Sequence, residues 1–365
     1  MRFKALVVDD SAFMRTEIKK ILELDPDLEV IATAQNGQEA LQLVKEHQPD
    51  VVTMDINMPK MNGLEALKRI MQEMPCPVVM VSALTSDSAD ETIEALAVGA
   101  FDFFQKPSGS ISLDIALQAD IIRKKVRIAA RYKRRLRTKS KAWRKTEKKT
   151  KVIERIKQSL NRSRHERLAT PSSIVAIGVS TGGPRALMSI LPALPSDFKG
   201  SVIIAQHMPE KFTYSFANRL DGICALKVKE AENGEAIQNG VIYIAPGGRH
   251  LRVVKHSDAY HGIEVVNQPV NSLYIPSVEV LFRSLLENAG NQWLGVMLTG
   301  MGSDGAQALT DLRHIGGHTI AEAEESCVVF GMPRKVIELE GAEFTLHQDK
   351  IASKIVELIG NSVCH

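Results

Sequence analysis

Cysteine is scarce in this 365-residue chain. Its four cysteines, Cys76, Cys224, Cys327 and Cys364, lie far apart and form no C-x-x-C pair. That spacing argues against a zinc site and a disulfide scaffold and leaves ordinary reduced thiols. No apolar run reaches the roughly 20 residues of a membrane-spanning helix. The N-terminus passes from Met1 straight into the short apolar run Ala5 to Val8 and two aspartates, unlike a secretory leader. A soluble, cytoplasmic protein is expected. There is no internal repeat of solenoid or propeller period, and from Ile111 to Thr170 there is neither glycine nor proline to punctuate a turn.

The charge is distributed unevenly. A net charge of +3 conceals a stretch, 123–167, with 21 Lys or Arg against 3 Glu, which leaves 25 basic and 40 acidic residues elsewhere. The length exceeds what one core usually supports, so two domains are expected, at 1–122 and 172–360, joined by a basic linker at 123–171 that is partly helical or disordered. Pro171, with Ser159, Ser163 and Ser172, marks the end of that linker. Like charges at i,i+4 oppose a long isolated helix there.

Short apolar runs alternate with amphipathic segments in both halves. The pattern predicts strands near 3–8, 29–34, 51–54, 78–82 and 101–104, then near 174–179, 201–206, 241–245, 293–299 and 318–321, with a hairpin over 251–267. The fold class is α/β: a five-stranded parallel sheet of flavodoxin type followed by a doubly wound α/β domain. Ligands of such sheets collect at the carboxyl ends of the strands. Asp9, Asp10, Asp55, Ser82 and Lys106 all fall at such ends.

Three carboxylates and a lysine at strand ends suit a hard cation and a phosphoryl group. A carboxylate there can attack a phosphoryl donor while the cation and Lys106 neutralise the developing charge. Taken singly, Asp9 and Asp10 also read as turn or cap residues ahead of a helix at Ser11. The longer run Asp50-Val-Val-Thr-Met-Asp55-Ile-Asn-Met-Pro59-Lys-Met-Asn-Gly63 resembles the receiver domain of two-component response regulators, over residues 1 to about 122. The resemblance implies Asp55 as phosphoacceptor and Asp9, Asp10, Asp55 and the Asn57 carbonyl as ligands of Mg2+. It also implies Lys106 as the phosphate partner, Ser82 as the hydroxyl switch residue and Phe103 as the aromatic one.

In the second half, Gly178-Val-Ser180-Thr-Gly182 has the form of a nucleophile elbow, in which a serine on a tight strand-to-helix turn exposes its hydroxyl. The same glycine-rich turn, Ser180 to Pro184, also suits a phosphate at a helix N-terminus, although it matches neither G-x-G-x-x-G nor the Walker lysine loop. His207 and Asp304 end later apolar runs on the same sheet edge, so a Ser180, His207, Asp304 triad is geometrically available. The chain order Ser, His, Asp differs from that of α/β-hydrolases. A lone histidine or aspartate at such a place is often structural.

Together, Ile177-Gly-Val-Ser180-Thr-Gly-Gly-Pro184, Ala205-Gln-His207-Met-Pro209 and Leu298-Thr-Gly-Met301-Gly-Ser-Asp304-Gly-Ala306 closely resemble the catalytic domain of the chemotaxis protein-glutamate methylesterases, over about 172–360. The resemblance implies Ser180 as nucleophile, His207 as base and then acid, and Asp304 as orienting carboxylate. The Met301 amide would be an oxyanion donor and Thr181 a lining residue. It implies phosphorylation-activated hydrolysis of glutamate γ-methyl esters on the cytoplasmic domains of chemoreceptors, with glutamine deamidation as a second reaction. A chemotaxis histidine kinase would be the phosphodonor, Mg2+ would serve the receiver, and ester cleavage would need no cofactor. Specific nucleic acid and membrane insertion are not expected, though the linker's charge permits surface contact. The rival readings are a receiver-regulated scaffold and a nucleic-acid-binding regulator without hydrolase activity. No helix-turn-helix pattern follows the receiver, and the catalytic side chains are all present.

Overall fold

The computed structural model describes residues 2–83, 85–106, 113–139, 173–257, 260–269, 272–287 and 293–361. Its contacts divide the chain into two units, 1–159 and 160–365.

The N-terminal unit alternates strand and helix: β1 (Phe3–Val8), α1 (Ala12–Glu23), β2 (Leu28–Ala34), α2 (Gly37–His47), β3 (Val51–Asp55), α3 (Gly63–Glu73), β4 (Val78–Ser82), α4 (Ser86–Val98), β5 (Asp102–Gln105) and α5 (Leu113–Lys139). The strands form one parallel sheet in the order β2-β1-β3-β4-β5. Every residue of β3 and β4 is buried, as a parallel sheet covered on both faces requires. Helix α1 buries Met14, Ile18, Ile21 and Leu22, a single stripe at 3.6-residue spacing. Side-chain caps start the first four helices: Ser11, Asn36, Asn62 and Thr85 each accept an amide of the first turn.

Helix α5 runs past residue 122, where the sequence pattern ends the receiver. Ile122, Val126, Ala129 and Ala130 are buried in the same core as Val7, Leu22 and Phe104. The basic residues around that stripe pair with acids of their own unit. Arg127 meets Asp25 at 2.8 Å, Arg131 meets Asp27 at 3.2 Å and Lys125 meets Asp102 at 3.1 Å. Lys133 donates to the Pro49 carbonyl. Part of the charge assigned to a linker therefore belongs to a packed helix. The rest of that segment, with Ser159, Ser163, Pro171 and Ser172, lies outside the described residues, as does Cys364.

The C-terminal unit contains β6 (Ile174–Val179), α6 (Gly183–Ile190), β7 (Ser201–Gln206), α7 (Phe212–Asp221), β8 (Lys227–Glu230), β9 (Val241–Ile244), β10 (His250–Ser257), β11 (Tyr260–Val266), α8 (Val278–Glu287), β12 (Trp293–Met297), α9 (Ala306–His314), β13 (His318–Glu322), α10 (Met332–Glu338), β14 (Phe344–Leu346) and α11 (Gln348–Asn361). Its parallel sheet has the order β14-β13-β12-β6-β7-β9-β8, and β10 and β11 form a separate antiparallel hairpin. The sequence pattern missed only the outer strands, β8 and β14. They are short and partly exposed, so they carry no continuous apolar run. The central strands β6, β7, β9 and β12 are buried throughout.

In both sheets the order in which the chain adds strands reverses beside the first strand, between β1 and β3 and again between β6 and β12. Such a switch point opens a crevice at the carboxyl edge, where the loops after the two flanking strands diverge. Asp9 follows β1 and Asp55 ends β3 at the first switch. Ser180 and Asp304 follow β6 and β12 at the second.

Candidate active site and phosphoacceptor pocket

Ser180 is the first residue after β6. Its amide donates to the Thr299 carbonyl at 3.0 Å, and its carbonyl accepts from Gly183 N at 2.8 Å and Gln206 Nε2 at 3.1 Å. The turn into α6 needs Gly182 in the left-handed region, at φ +81°. The loop after β12 presses on the serine from the other side. A Cβ at Gly300 would lie 2.9 Å from the Ser180 Cβ, so this approach also requires glycine.

His207, the first residue after β7, bridges the other two groups: its Nδ1 lies 3.0 Å from Ser180 Oγ and its Nε2 lies 2.8 Å from Asp304 Oδ2. An ionised Asp304 accepts a hydrogen bond from Nε2–H, which leaves the Nδ1 lone pair aimed at the serine hydroxyl. The ring is used in the opposite sense to the familiar serine protease, where Nε2 serves the nucleophile.

Asp304 has further donors. Ser277 Oγ donates to its Oδ1 at 2.9 Å, Val278 N to its Oδ2 at 2.7 Å and Glu279 N to its Oδ1 at 3.1 Å. These groups form the N-terminus of α8, where amide donors and the helix dipole favour negative charge. Burial pushes the Asp304 carboxyl up, but His207 and the α8 amides outweigh it and hold the group below the usual carboxylate value. It is therefore a fixed anion.

The Met301 amide meets no acceptor among the described residues. The peptides beside it are pinned, since Gly300 N donates to the Val329 carbonyl at 3.0 Å and the Gly300 carbonyl accepts from Gly331 N at 3.1 Å and Met332 N at 2.9 Å. Thr181 is buried, with its carbonyl held by Thr299 Oγ1 at 3.0 Å.

In the N-terminal unit, carboxylate oxygens of Asp9, Asp10 and Asp55 lie within 4.8 Å of one another. Lys106 Nζ is 3.2 Å from Asp9 Oδ2 and 2.9 Å from Asp55 Oδ2. Burial pushes Asp55 up to about 6, with Lys106 opposing the shift and the Asp9 charge adding to it. Burial pulls Lys106 down, yet Asp55 and Asp9 hold it above its ordinary value. Apart from Lys106, the buried Oδ2 atoms of Asp9 and Asp55 have no partner among the described residues. All-oxygen donors, two carboxylates buried and one exposed, fit a small hard cation such as Mg2+.

Asn57 is exposed, its amide 3.2 Å from Glu91 Oε2, and its carbonyl is engaged by no donor among the described residues. The Ser82 hydroxyl is turned to α4, 2.8 Å from Thr92 Oγ1 and 3.3 Å from the Ser88 carbonyl. Phe103 is buried, with Lys125 Nζ 5.4 Å from its ring centre.

Residues 5–118 match the response regulator receiver domain model and residues 175–355 the CheB methylesterase model. A protein-glutamate methylesterase/protein-glutamine glutaminase of Caldanaerobacter subterraneus is 47% identical over 98% of this chain and 97% of its own length. The chain belongs to the CheB methylesterase family. A second relative of the same description, from Nitratidesulfovibrio vulgaris, is 45% identical over 96% of this chain and 98% of its own. Among solved structures, the catalytic domain of Thermotoga maritima CheB methylesterase is 42% identical, covering 51% of this chain and 98% of that one with a TM-score of 0.49.

This CheB family chain also supports its site with residues that sequence motifs did not single out. Gln206, buried beside His207, holds the backbone carbonyls of both Ser180 and His207 at 3.1 Å. Glu322, fully buried at the end of β13, accepts the Thr299 amide at 2.9 Å. His250 accepts the Ser277 amide on Nδ1 at 3.1 Å, and its Nε2 lies 3.1 Å from the Pro269 carbonyl, which fixes a neutral tautomer with the proton on Nε2. Of these, only Gln206 lies inside a quoted motif, Ala205-Gln-His207-Met-Pro209.

Proposed function

We propose that this chain is a phosphorylation-activated protein-glutamate methylesterase that hydrolyses glutamate γ-methyl esters on the cytoplasmic domains of chemoreceptors, with glutamine deamidation as its second reaction. The observation that carries the reading is the bridge made by His207, with Ser180 Oγ at 3.0 Å on one side and Asp304 Oδ2 at 2.8 Å on the other.

Ser180 Oγ attacks the ester carbonyl while its proton passes to His207 Nδ1 and the carbonyl electron pair moves onto oxygen. Asp304 stabilises the resulting imidazolium through Nε2–H, and the Met301 amide donates to the oxyanion. A positioned donor of that kind contributes about 3 kcal/mol. His207 then returns the proton to the departing methoxide, which leaves as methanol. A water deprotonated by the same nitrogen attacks the acyl-enzyme, the Ser180 Oγ–acyl bond breaks, and glutamate is released. With a primary amide as substrate the same steps expel ammonia.

In the receiver, Asp55 takes a phosphoryl group from a histidine kinase, and Lys106 pairs with the new negative charge. Asp9, Asp10, Asp55 and the Asn57 carbonyl would hold Mg2+, which supplies positive charge to the phosphoryl oxygens when bound. Ser82 and Phe103 couple this chemistry to the methylesterase by a shift of population between two receiver states.

The test is methanol release from methylated receptor by the full chain, with and without a small phosphodonor and Mg2+. Release that a phosphodonor stimulates, and that Ser180→Ala abolishes, is expected. Turnover of Ser180→Ala at the wild-type rate excludes the serine mechanism, and turnover indifferent to the phosphodonor excludes the regulation.

A further inference from the structure

The ring of Tyr274 lies flat against the imidazole of His207, with centroids 4.1 Å apart and planes 7° from parallel. The contacts to Ser180 and Asp304 lie in the plane of the imidazole and restrain it edgewise. They do little against rotation of the ring about the line that joins them. A parallel aromatic face supplies the missing restraint.

The segment carrying Tyr274 is itself held in several places. Ser272 Oγ donates to the Tyr274 carbonyl at 2.8 Å, Gly248 N lies 3.4 Å from the Ile275 carbonyl, and Ser277 N donates to His250 Nδ1 at 3.1 Å. The same segment ends in Ser277, which donates to Asp304. Six residues thus carry one group on the histidine and another on the aspartate that orients it.

We infer that Tyr274 is a positioning residue for ester cleavage: its ring fixes the plane in which His207 meets Ser180 and Asp304, and its π-face stabilises the imidazolium formed as the serine attacks. The inference rests on the Ser180, His207, Asp304 reading given above. A π-face attracts a cation far more than a neutral ring, so the stabilisation grows as the proton arrives. An interaction stronger in the transition state than in the ground state raises kcat and leaves substrate binding alone. The expected size is about tenfold in kcat, between the values for an exposed and a fully desolvated cation over an aromatic ring.

The experiment compares Tyr274→Leu, Tyr274→Gln and Tyr274→Phe in the full chain, on methylated receptor and on a small soluble ester, with Ser180→Ala alongside. Tyr274 is only partly buried, so the two non-aromatic variants test one position without emptying a core. Both should lose about tenfold in kcat with KM within about twofold of wild type, while Tyr274→Phe keeps the ring and recovers most of kcat. The His207 Cε1 proton, shielded by the stacked ring, should move downfield by NMR in the Leu and Gln variants only. A rise in KM at unchanged kcat makes Tyr274 a substrate contact and overturns the inference. So does full kcat in both non-aromatic variants, or a Tyr274→Phe loss as large as theirs. Wild-type turnover by Ser180→Ala instead sinks the underlying serine reading, a result that the Tyr274 variants do not produce.

Discussion

The buried carboxylate of Glu322 accepts the amide of Thr299 at 2.9 Å, and the carbonyl of the same Thr299 accepts the amide of Ser180 at 3.0 Å. A side chain at the end of β13 is thereby linked through one residue to the turn that presents the serine. Its other oxygen, Oε1, is buried as well.

That environment gives Glu322 a measurable signature. Burial raises its pKa from the usual 4.5, against the lowering effects of the Thr299 amide, Ser326 and Cys327. A carboxyl raised in the folded state stabilises the fold fully below the unfolded pKa, and that contribution is lost as pH rises through the folded value. Glutamine resembles the protonated acid and keeps an acceptor for Thr299. Glu322→Gln is therefore expected to melt a few degrees above wild type near pH 7 to 8, with the difference vanishing below about pH 4.5. Thermal melts across that range check it, and a difference independent of pH refutes the assignment.

Asp304→Asn tests the anion rather than the shape. The carboxylate accepts from His207, Ser277, Val278 and Glu279, and an amide has only one acceptor oxygen to offer them. Its NH2 group would face donors, and the imidazole would lose the partner that sets its tautomer. A loss in kcat on the order of 10³- to 10⁴-fold is expected, with far less change in KM. Steady-state kinetics on a small ester separates the two, and a loss below about tenfold would show that the orientation of His207 does not depend on this charge.

Much of this was legible in the sequence because α/β sheets place their chemistry at strand ends. Asp9, Asp10, Asp55 and Lys106 could be grouped in that way, and so could Ser180, His207 and Asp304. The supporting groups could not. Tyr274, Ser277 and the first amides of α8 follow an irregular stretch without periodicity, and Glu322 stands among the acids Glu324 and Glu325, where it reads as solvated surface. Ala129 and Ala130 were hidden for the opposite reason: the density of Lys and Arg around them masked the end of a buried stripe.

Mg2+ is expected to stabilise the N-terminal unit in a concentration-dependent manner. The cation would relieve the crowding of Asp9 and Asp55, whose Oδ2 atoms now share one ammonium group, that of Lys106. Binding to the folded state alone adds about 2.7 kcal/mol at a hundred times Kd. Asp9→Asn should shrink the shift of the melting midpoint that Mg2+ causes. A Mg2+ shift as large in Asp9→Asn as in wild type would place the ion elsewhere.

Helix α5 predicts how far the receiver extends. Asp25 is 4% exposed and meets Arg127 at 2.8 Å, so Arg127→Ala strands a buried carboxylate whose other contact is the Asp27 amide at 2.9 Å. An unpaired buried charge costs more than the pair contributes, so a loss of about 2 kcal/mol in the urea stability of the N-terminal unit is expected. Adding Asp25→Asn removes the stranded charge and should restore part of it, which surface pairs do not do. Arg131 provides the control on the same helix: its partner Asp27 is half exposed, and Arg131→Ala should cost no more than about 0.5 kcal/mol. Equal losses for Arg127→Ala and Arg131→Ala would mean that α5 is held by its general charge. Unequal losses in the expected order place residues 123–131 inside the receiver as structural parts of its fold.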